Sequence, residues 1–199
     1  MKARMPPGWV RLPEPAEAVL IRRLLLAAPA RGPLRARSTE LRVRPLHCIR
    51  GEAVLVRGVD HGSRPPRELR WLDVDGEALA LPRAFAGLGS TLPLTLESAV
   101  ARADWIRVAG AAEPDLLGGV VVESGGELRF HRRPTPSEHA MATALPAPIA
   151  EDGDGAVVVV ASLGRVARVR VRVAPDGALE VGPAETLFEG PVCRRPWVH

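Results

Sequence analysis

The fold of this chain is decided by the stretch GAVVVVASLGRVARVRVRVAPDGALEVG, residues 155–182. Its first part, Ala156–Ala161, is a short apolar run rich in β-branched residues, which predicts a buried strand. A strictly alternating segment follows. Because side chains alternate across a strand, its valines share one face, and the other face carries Arg168, Arg170 and Arg172. The turn sequence Pro175-Asp176-Gly177 then leads into a return strand. We therefore expect an antiparallel β-meander with one apolar face and one arginine face.

Similar patterns along the chain predict a mainly β protein of antiparallel hairpins with one N-terminal helix. The helix is expected over 16–28, because acidic residues lie near its start and arginines further along. Hairpins are expected at 69–81 and 120–130. Further strands are expected at 40–44, 53–57 and 105–108, the last preceded by a short helix around 96–103. The Pro/Ala-rich segment 134–148 is expected to be a connecting loop.

An internal period near fifty residues is visible in the turn glycines Gly76, Gly126 and Gly177, which lie 50 and 51 positions apart. Such a period is typical of stacked β units, in a propeller-like ring or a sandwich. This divides the chain into an N-terminal segment, 1–50, and a β-rich domain, 51–199. The units within that domain would be 51–103, 104–154 and 155–199. The alternative is an ordinary meander whose hairpins recur by chance.

The composition is strongly biased toward arginine. The chain has 199 residues, a formal net charge of +4 and a pI near 10.3. Lys2 is the only lysine, and Asn, Gln and Tyr are absent. This usage is typical of a GC-rich, bacterial genome, so part of the arginine content carries no functional information. The net positive charge is compatible with an acidic binding partner but does not require one.

The location predicted from the sequence is the cytoplasm. No apolar run approaches the ~20 residues of a membrane span. The pair Arg22-Arg23 before an apolar segment resembles a twin-arginine export signal, but that segment is too short. The two cysteines, Cys48 and Cys193, allow at most one disulfide and are expected to be free thiols in a reducing compartment.

Motifs of catalysis and metal binding are missing from the sequence. There is no phosphate loop, nucleophile elbow or HExxH pattern. His47 adjoins Cys48, but neighbouring strand residues point to opposite faces, which disfavours joint ligation. The acidic stretch 151–155 lacks the distal carboxylate of a calcium loop and is expected to be a solvated turn. We therefore expect no enzyme activity, no cofactor and no metal.

The arginine face is the candidate binding site, formed by Arg168, Arg170 and Arg172, with Arg132 and Arg133 as additional members. On one face of a strand, successive arginines of the set Arg168, Arg170 and Arg172 would stand roughly 6.5–7 Å apart, which is close to the spacing of nucleic-acid phosphates. The strand has no aromatic residues on which bases could stack, which favours an acidic protein partner over nucleic acid. We expect a non-catalytic interaction or scaffold module, an accessory subunit of a larger bacterial assembly. The alternative is a nucleic-acid-binding protein that uses the arginine ladder.

The opening Pro6-Pro7-Gly8-Trp9 and the hairpin that carries Trp71 loosely resemble accessory proteins of MoxR-type ATPase and von Willebrand A systems. The resemblance implies an ATPase-associated role. It covers little of the chain and includes no diagnostic motif, so it assigns no family.

Overall fold

Two antiparallel sheets contain most of the regular structure. The computed structural model describes residues 8–27, 39–60, 67–81, 85–123, 128, 130, 133–152, 155–162 and 164–189. The strands are β1 (Val10–Arg11), β2 (Thr39–Pro45), β3 (Ala53–Asp60), β4 (Arg67–Val74), β5 (Glu77–Leu81), β6 (Val120–Val121), β7 (Ile149–Asp152), β8 (Gly155–Ser162), β9 (Arg165–Val173) and β10 (Leu179–Glu189). The helices are α1 (Glu14–Ala27), α2 (Ala86–Gly89), α3 (Ala99–Ala112) and α4 (Pro136–Thr143), with a 3₁₀ turn at Pro114–Leu117.

The first sheet is a five-stranded meander in the order β1-β2-β3-β4-β5. The second sheet has the order β10-β9-β8-β6, and β7 also pairs with β8. Strands β6 and β7 share one edge of β8, because β6 pairs with Val160 and Ala161 whereas β7 pairs with residues 155–158. The mainly β class predicted from the sequence is confirmed.

Residues 155–182 form the expected meander. The valines Val169 and Val171 are buried on one face of β9, whereas Arg168, Arg170 and Arg172 are exposed on the other. Strand β10 continues to Glu189, well beyond the short return strand expected from Leu179. The hairpin at 69–81 is confirmed as β4 and β5, with left-handed backbone at Asp75 and Gly76 in its turn. The N-terminal helix expected over 16–28 is confirmed as α1, Glu14–Ala27, with position 28 outside the described residues.

Helix α3 lies between the two sheets. Trp105, Val108 and Ala109 pack with first-sheet side chains such as Leu55 and Leu72. On another side, Ile106 packs against the second sheet, in a cluster with Val158, Val160, Ala167, Val169 and Val171. Nine of the fourteen residues of α3 are buried. A helix that is covered on several sides is a core element and not a surface layer.

The outer faces of the two sheets carry the other long helices. Helix α1 packs Leu20, Ile21 and Leu24 against Val56 and Trp71 of the first sheet. Helix α4 contributes Ala142 to a cluster with Val159 and Val166, on the face of the second sheet that also carries the arginines. The order of layers is therefore helix, sheet, helix, sheet, helix.

The strand predicted at 105–108 is wrong, because these residues belong to α3. Ser98 caps this helix by accepting a hydrogen bond from the main-chain N–H of Ala101. Alanine is the strongest helix former, and α3 contains six alanines, at 99, 101, 103, 109, 111 and 112. The cap and the alanines outweigh the β-branched pair Ile106 and Val108. The short helix expected around 96–103 is the first part of this longer one.

The loop predicted at 134–148 also requires correction, because α4 occupies its middle. Thr135 and Glu138 form a reciprocal capping box: Thr135 Oγ1 accepts from the Glu138 N–H at 3.2 Å, and Glu138 Oε2 accepts from the Thr135 N–H at 2.7 Å. Pro136 stands at the first helical turn, where its missing N–H costs nothing. With α2, α3 and α4 present, the expectation of a single helix is wrong.

The fifty-residue repeat is not seen in the described residues. Strands begin at Ala53 and Gly155, but the intermediate position lies within the helix α3. Of the hairpin expected at 120–130, the described residues contain the strand β6, which pairs with β8, whereas the expected turn, 124–126, lies outside them.

Candidate functional site

The arginine face lies on the outer side of the second sheet, and Arg168 and Arg170 pair with acidic residues of β10 and β7. Arg168 donates from Nε and Nη2 to the two carboxylate oxygens of Glu185 on β10, both at 2.8 Å. Arg170 forms an ion pair with Asp152 at the end of β7. Arg172 stands opposite Glu180 in the register of β9 and β10 and also has an interaction partner. The face therefore alternates positive and negative groups.

The Arg168–Glu185 pair is exposed to solvent, since the two side chains are 47% and 62% exposed. In the second pair the Arg170 side chain is 68% exposed and that of Asp152 is 38% exposed, but the Asp152 Oδ2 atom that faces Arg170 is itself buried. The hydrogen bonds from Arg168 lower the pKa of Glu185, and the same bonds raise the pKa of Arg168. Exposed ion pairs contribute little to stability because water screens the charges and the side chains lose freedom. Another carboxylate can thus replace the internal one at small cost.

Of the two additional arginines expected at the site, Arg132 and Arg133, only Arg133 lies within the described residues. Arg133 is exposed just before α4 and has an interaction partner. Arg132 lies outside the described residues. The ladder of Arg168, Arg170 and Arg172 is the part of the candidate site that the structure places together.

A buried charge network joins the first sheet to α3. Asp104, 1% exposed, accepts the main-chain N–H of His47 at 3.0 Å, and its Oδ2 lies 2.9 Å from His47 Nδ1. Its Oδ1 lies 3.3 Å from Arg107 Nη1 and 3.5 Å from Arg44 Nε. Arg107 also donates from Nε to Glu123 at 3.0 Å. A buried carboxylate is tolerated only with such compensation, and removal of one partner from a buried pair typically costs about 3–5 kcal/mol.

His47 and Cys48 lie in a bend after the end of β2, not in the strand expected for them, and their side chains differ in exposure. The His47 side chain is 65% exposed, whereas Cys48 is fully buried and free. Burial, and after it the negative charge of Asp104, raise the pKa of the Cys48 thiol to about 12. A thiol that stays protonated is a poor nucleophile, so this cysteine does not complete a catalytic group with the Asp104–His47 pair.

An open cleft of about 720 Å³ lies where the turn between β9 and β10 meets the segment from Phe85 to Leu94 and the end of α3. Its apolar lining includes Phe85, Leu92, Leu94, Leu116 and Leu179. Two carboxylates, Glu113 and Asp176, also line it. Trp105 supports the turn by donating from Nε1 to the carbonyl oxygen of Gly177 at 2.8 Å.

Sequence reasoning missed both the charge network and the cleft. Asp104 and His47 are 57 positions apart, and Glu113 and Asp176 are 63 apart, so no motif connects them. Asp176 was identified only as a turn residue. Its Oδ1 does accept the N–H of Ala178 at 3.0 Å, as an Asx turn requires.

Within the described residues, no three His, Cys, Asp or Glu side chains are grouped in a way that could hold a metal ion. None of the described helices combines the length and apolar character needed to cross a membrane. Comparison with protein-family models, with curated proteins and with solved structures gives no significant match.

Proposed function

We propose that this protein is a non-catalytic β-rich interaction module, an accessory subunit of a larger bacterial assembly of the kind built around an ATPase. Its recognition surface is the arginine face, and its partner is an acidic protein segment. The observation that carries the proposal is the exposure of the Arg168–Glu185 pair on a regular sheet, beside an Arg170 side chain that is 68% exposed. An incoming carboxylate can take the place of Glu185 without the desolvation cost of a buried pair.

The side-chain face is better suited to recognition than the free edge of the same sheet. Strand β10 is an edge among the described strands. Pro183 and two register shifts, at 181–184 and 186–188, interrupt its ladder. Proline, bulges and charged residues are the usual means by which proteins prevent a further strand from pairing with an edge. The contact is therefore made through side chains of the face.

Nucleic acid is the less favoured partner. Phosphates would have to approach a surface on which Glu185, Asp152 and Glu180 accompany the arginines. Phosphate binding depends on net positive charge and on the release of counterions, both of which these acids reduce. An acidic protein segment with spaced carboxylates can instead bind individual arginines of the face. The remaining arginines then keep the acidic partners that they have within the protein.

The first experiment replaces Arg168, Arg170 and Arg172 together by alanine and compares proteins retained from native-host extract. The variant is expected to fold and to lose the partner, with affinity for the purified partner reduced about 10- to 100-fold, because the three positive charges that would meet the partner's carboxylates are removed. A matched control, Arg11→Ala/Arg22→Ala/Arg50→Ala, removes the same charge from exposed positions elsewhere. Equal retention by both variants would exclude the arginine face.

A gain of binding provides the complementary measurement. Glu185→Gln removes the internal competitor of Arg168, so the affinity for an acidic partner should rise by a few-fold. The same protein is titrated with a single-stranded DNA oligonucleotide at increasing salt. Tight DNA binding that weakens steeply with salt and is lost in the arginine triple variant would establish the nucleic-acid alternative instead.

A further inference from the structure

The cleft beside the β9–β10 turn combines an apolar interior with negative charge. Phe85 is buried in its wall and packs against Trp105, with 4.9 Å between the ring centroids. Leu92, Leu94, Leu116 and Leu179 are partly buried, so each presents some apolar surface. The volume of about 720 Å³ lies within the range of small-molecule sites, roughly 300–1,000 Å³.

Both carboxylates are held in position through one oxygen atom. Glu113 Oε2 accepts the main-chain N–H of Phe85 at 3.1 Å, and Asp176 Oδ1 accepts that of Ala178 at 3.0 Å. Neither residue forms an ion pair with an arginine of the described chain, and both are exposed. Each therefore keeps a second oxygen atom for another hydrogen-bond donor.

The end of helix α3 adds to this negative potential. Glu113 is the C-cap residue of α3, and the last turn of the helix contains no basic residue. A helix C-terminus carries about half a negative charge, which usually attracts Lys, Arg or His. Here the acidic side chain of Glu113 stands at that position instead. None of the described residues that line the cleft carries a positive charge that could balance it.

We propose that this cleft binds a small organic cation, a primary ammonium group attached to an apolar chain or ring. The apolar part lies against Phe85 and the leucines, and the ammonium group donates to Glu113 and Asp176. A neutral or anionic ligand of the same shape would leave both carboxylates without a cationic partner. This site is separate from the arginine face, and it does not depend on the function proposed for that face.

The close packing beneath the cleft supports a preformed site. A Cβ atom at Gly177 would lie 2.5 Å from Leu94 Cδ1 and 3.1 Å from Trp105 Nε1, so the turn packs as closely as glycine allows. Gly177 also has a φ of +85°, which favours glycine. Preformed sites lose little entropy when a ligand binds, which matters most for a small ligand.

The experiment titrates the full chain with 4-phenylbutylamine and observes main-chain amide shifts by NMR. We expect shifts at 176–179 and at Glu113, and an affinity at least about tenfold above that of the neutral isostere 4-phenylbutan-1-ol. The double variant Glu113→Gln/Asp176→Asn keeps an acceptor for each main-chain N–H but should reduce amine affinity to that of the alcohol. The control Glu77→Gln/Glu189→Gln, with the same change of charge on exposed residues outside the cleft, should bind like the wild type.

Three outcomes would overturn the proposal: no shifts at these amides with the amine at about 10 mM, equal affinity for amine and alcohol, or unchanged amine affinity in Glu113→Gln/Asp176→Asn. Each single substitution is measured as well, so that misfolding of the double variant cannot hide the result. Binding of a partner by the arginine face is unaffected by any of these outcomes.

Discussion

Cys48 and Asp104 are both buried near the junction of the first sheet and α3. Arg44, Arg107 and His47 lie within ion-pair distance of the Asp104 carboxylate. Burial, and after it the negative charge of Asp104, raise the pKa of the Cys48 thiol, so the thiol remains in the neutral form.

The raised pKa of Cys48 predicts a loss of stability in alkaline solution. Its pKa is about 12 in the folded protein, against 9.0 for an ordinary thiol, so between these values only the unfolded chain releases the proton. The Cys48 contribution to the free energy of unfolding is complete below pH 9. It falls by up to about 1.4 kcal/mol per pH unit above that value. Because the chain has no tyrosine and one lysine, few other groups titrate in this range.

This prediction is checked by urea unfolding between about pH 8 and pH 11. Cys193→Ala serves as the reference, so that Cys48 is the only thiol, and it is compared with Cys48→Ala/Cys193→Ala. The second protein should show a shallower decline with pH, whatever its stability at neutral pH. Parallel curves would mean that the folded protein does not suppress ionisation of Cys48.

At the scale of elements, α4 depends on its capping box. Thr135→Ala removes the acceptor for the Glu138 N–H at the start of a helix only eight residues long. We expect a loss of about 1 kcal/mol in the free energy of unfolding, together with faster hydrogen exchange at Glu138. The control Thr143→Ala changes an exposed threonine in the last turn and should cost less than about 0.5 kcal/mol. Equal effects of the two substitutions would contradict the importance of the cap.

The sequence predicts the strands of this protein better than its helices, for a physical reason. The alternation of apolar and charged side chains in β9 and the Asp75-Gly76 turn each involve only a few consecutive residues, so both can be recognised in the sequence. Helix α3 is buried on several sides and lacks a clear polar face, which removes the helical periodicity from its sequence. The capping box of α4 was available as a local signal, at Thr135 and Glu138, but proline and alanine around it favoured a loop.

At the scale of the whole molecule, α3 couples the two sheets. Ile106 is fully buried against the second sheet, whereas Trp105 faces the first. Ile106→Ala should therefore lower the free energy of unfolding by roughly 2–5 kcal/mol and reduce hydrogen-exchange protection in both sheets. The control Val100→Ala changes a residue of the same helix that is 57% exposed, and its effect should stay within about 0.5 kcal/mol.

Hydrogen exchange measured at β3 and β8 tests whether α3 couples the two sheets or the sheets unfold independently. If α3 transmits the change, amides of both strands lose protection together. Loss confined to β8, with β3 exchanging as in the wild type, would mean that the two sheets unfold independently.

The sequence alone determined the mainly β class, the meander of β8, β9 and β10, and the face on which the arginines stand. These features depend on side-chain alternation and turn chemistry between residues close in sequence. Only the tertiary structure decided which acids accompany Arg168 and Arg170, that α3 separates the sheets, and that Glu113 and Asp176 meet at one cleft. Those arrangements join residues far apart in the sequence, such as Trp105 and Gly177 at 72 positions, and long-range packing leaves no fixed spacing in the sequence.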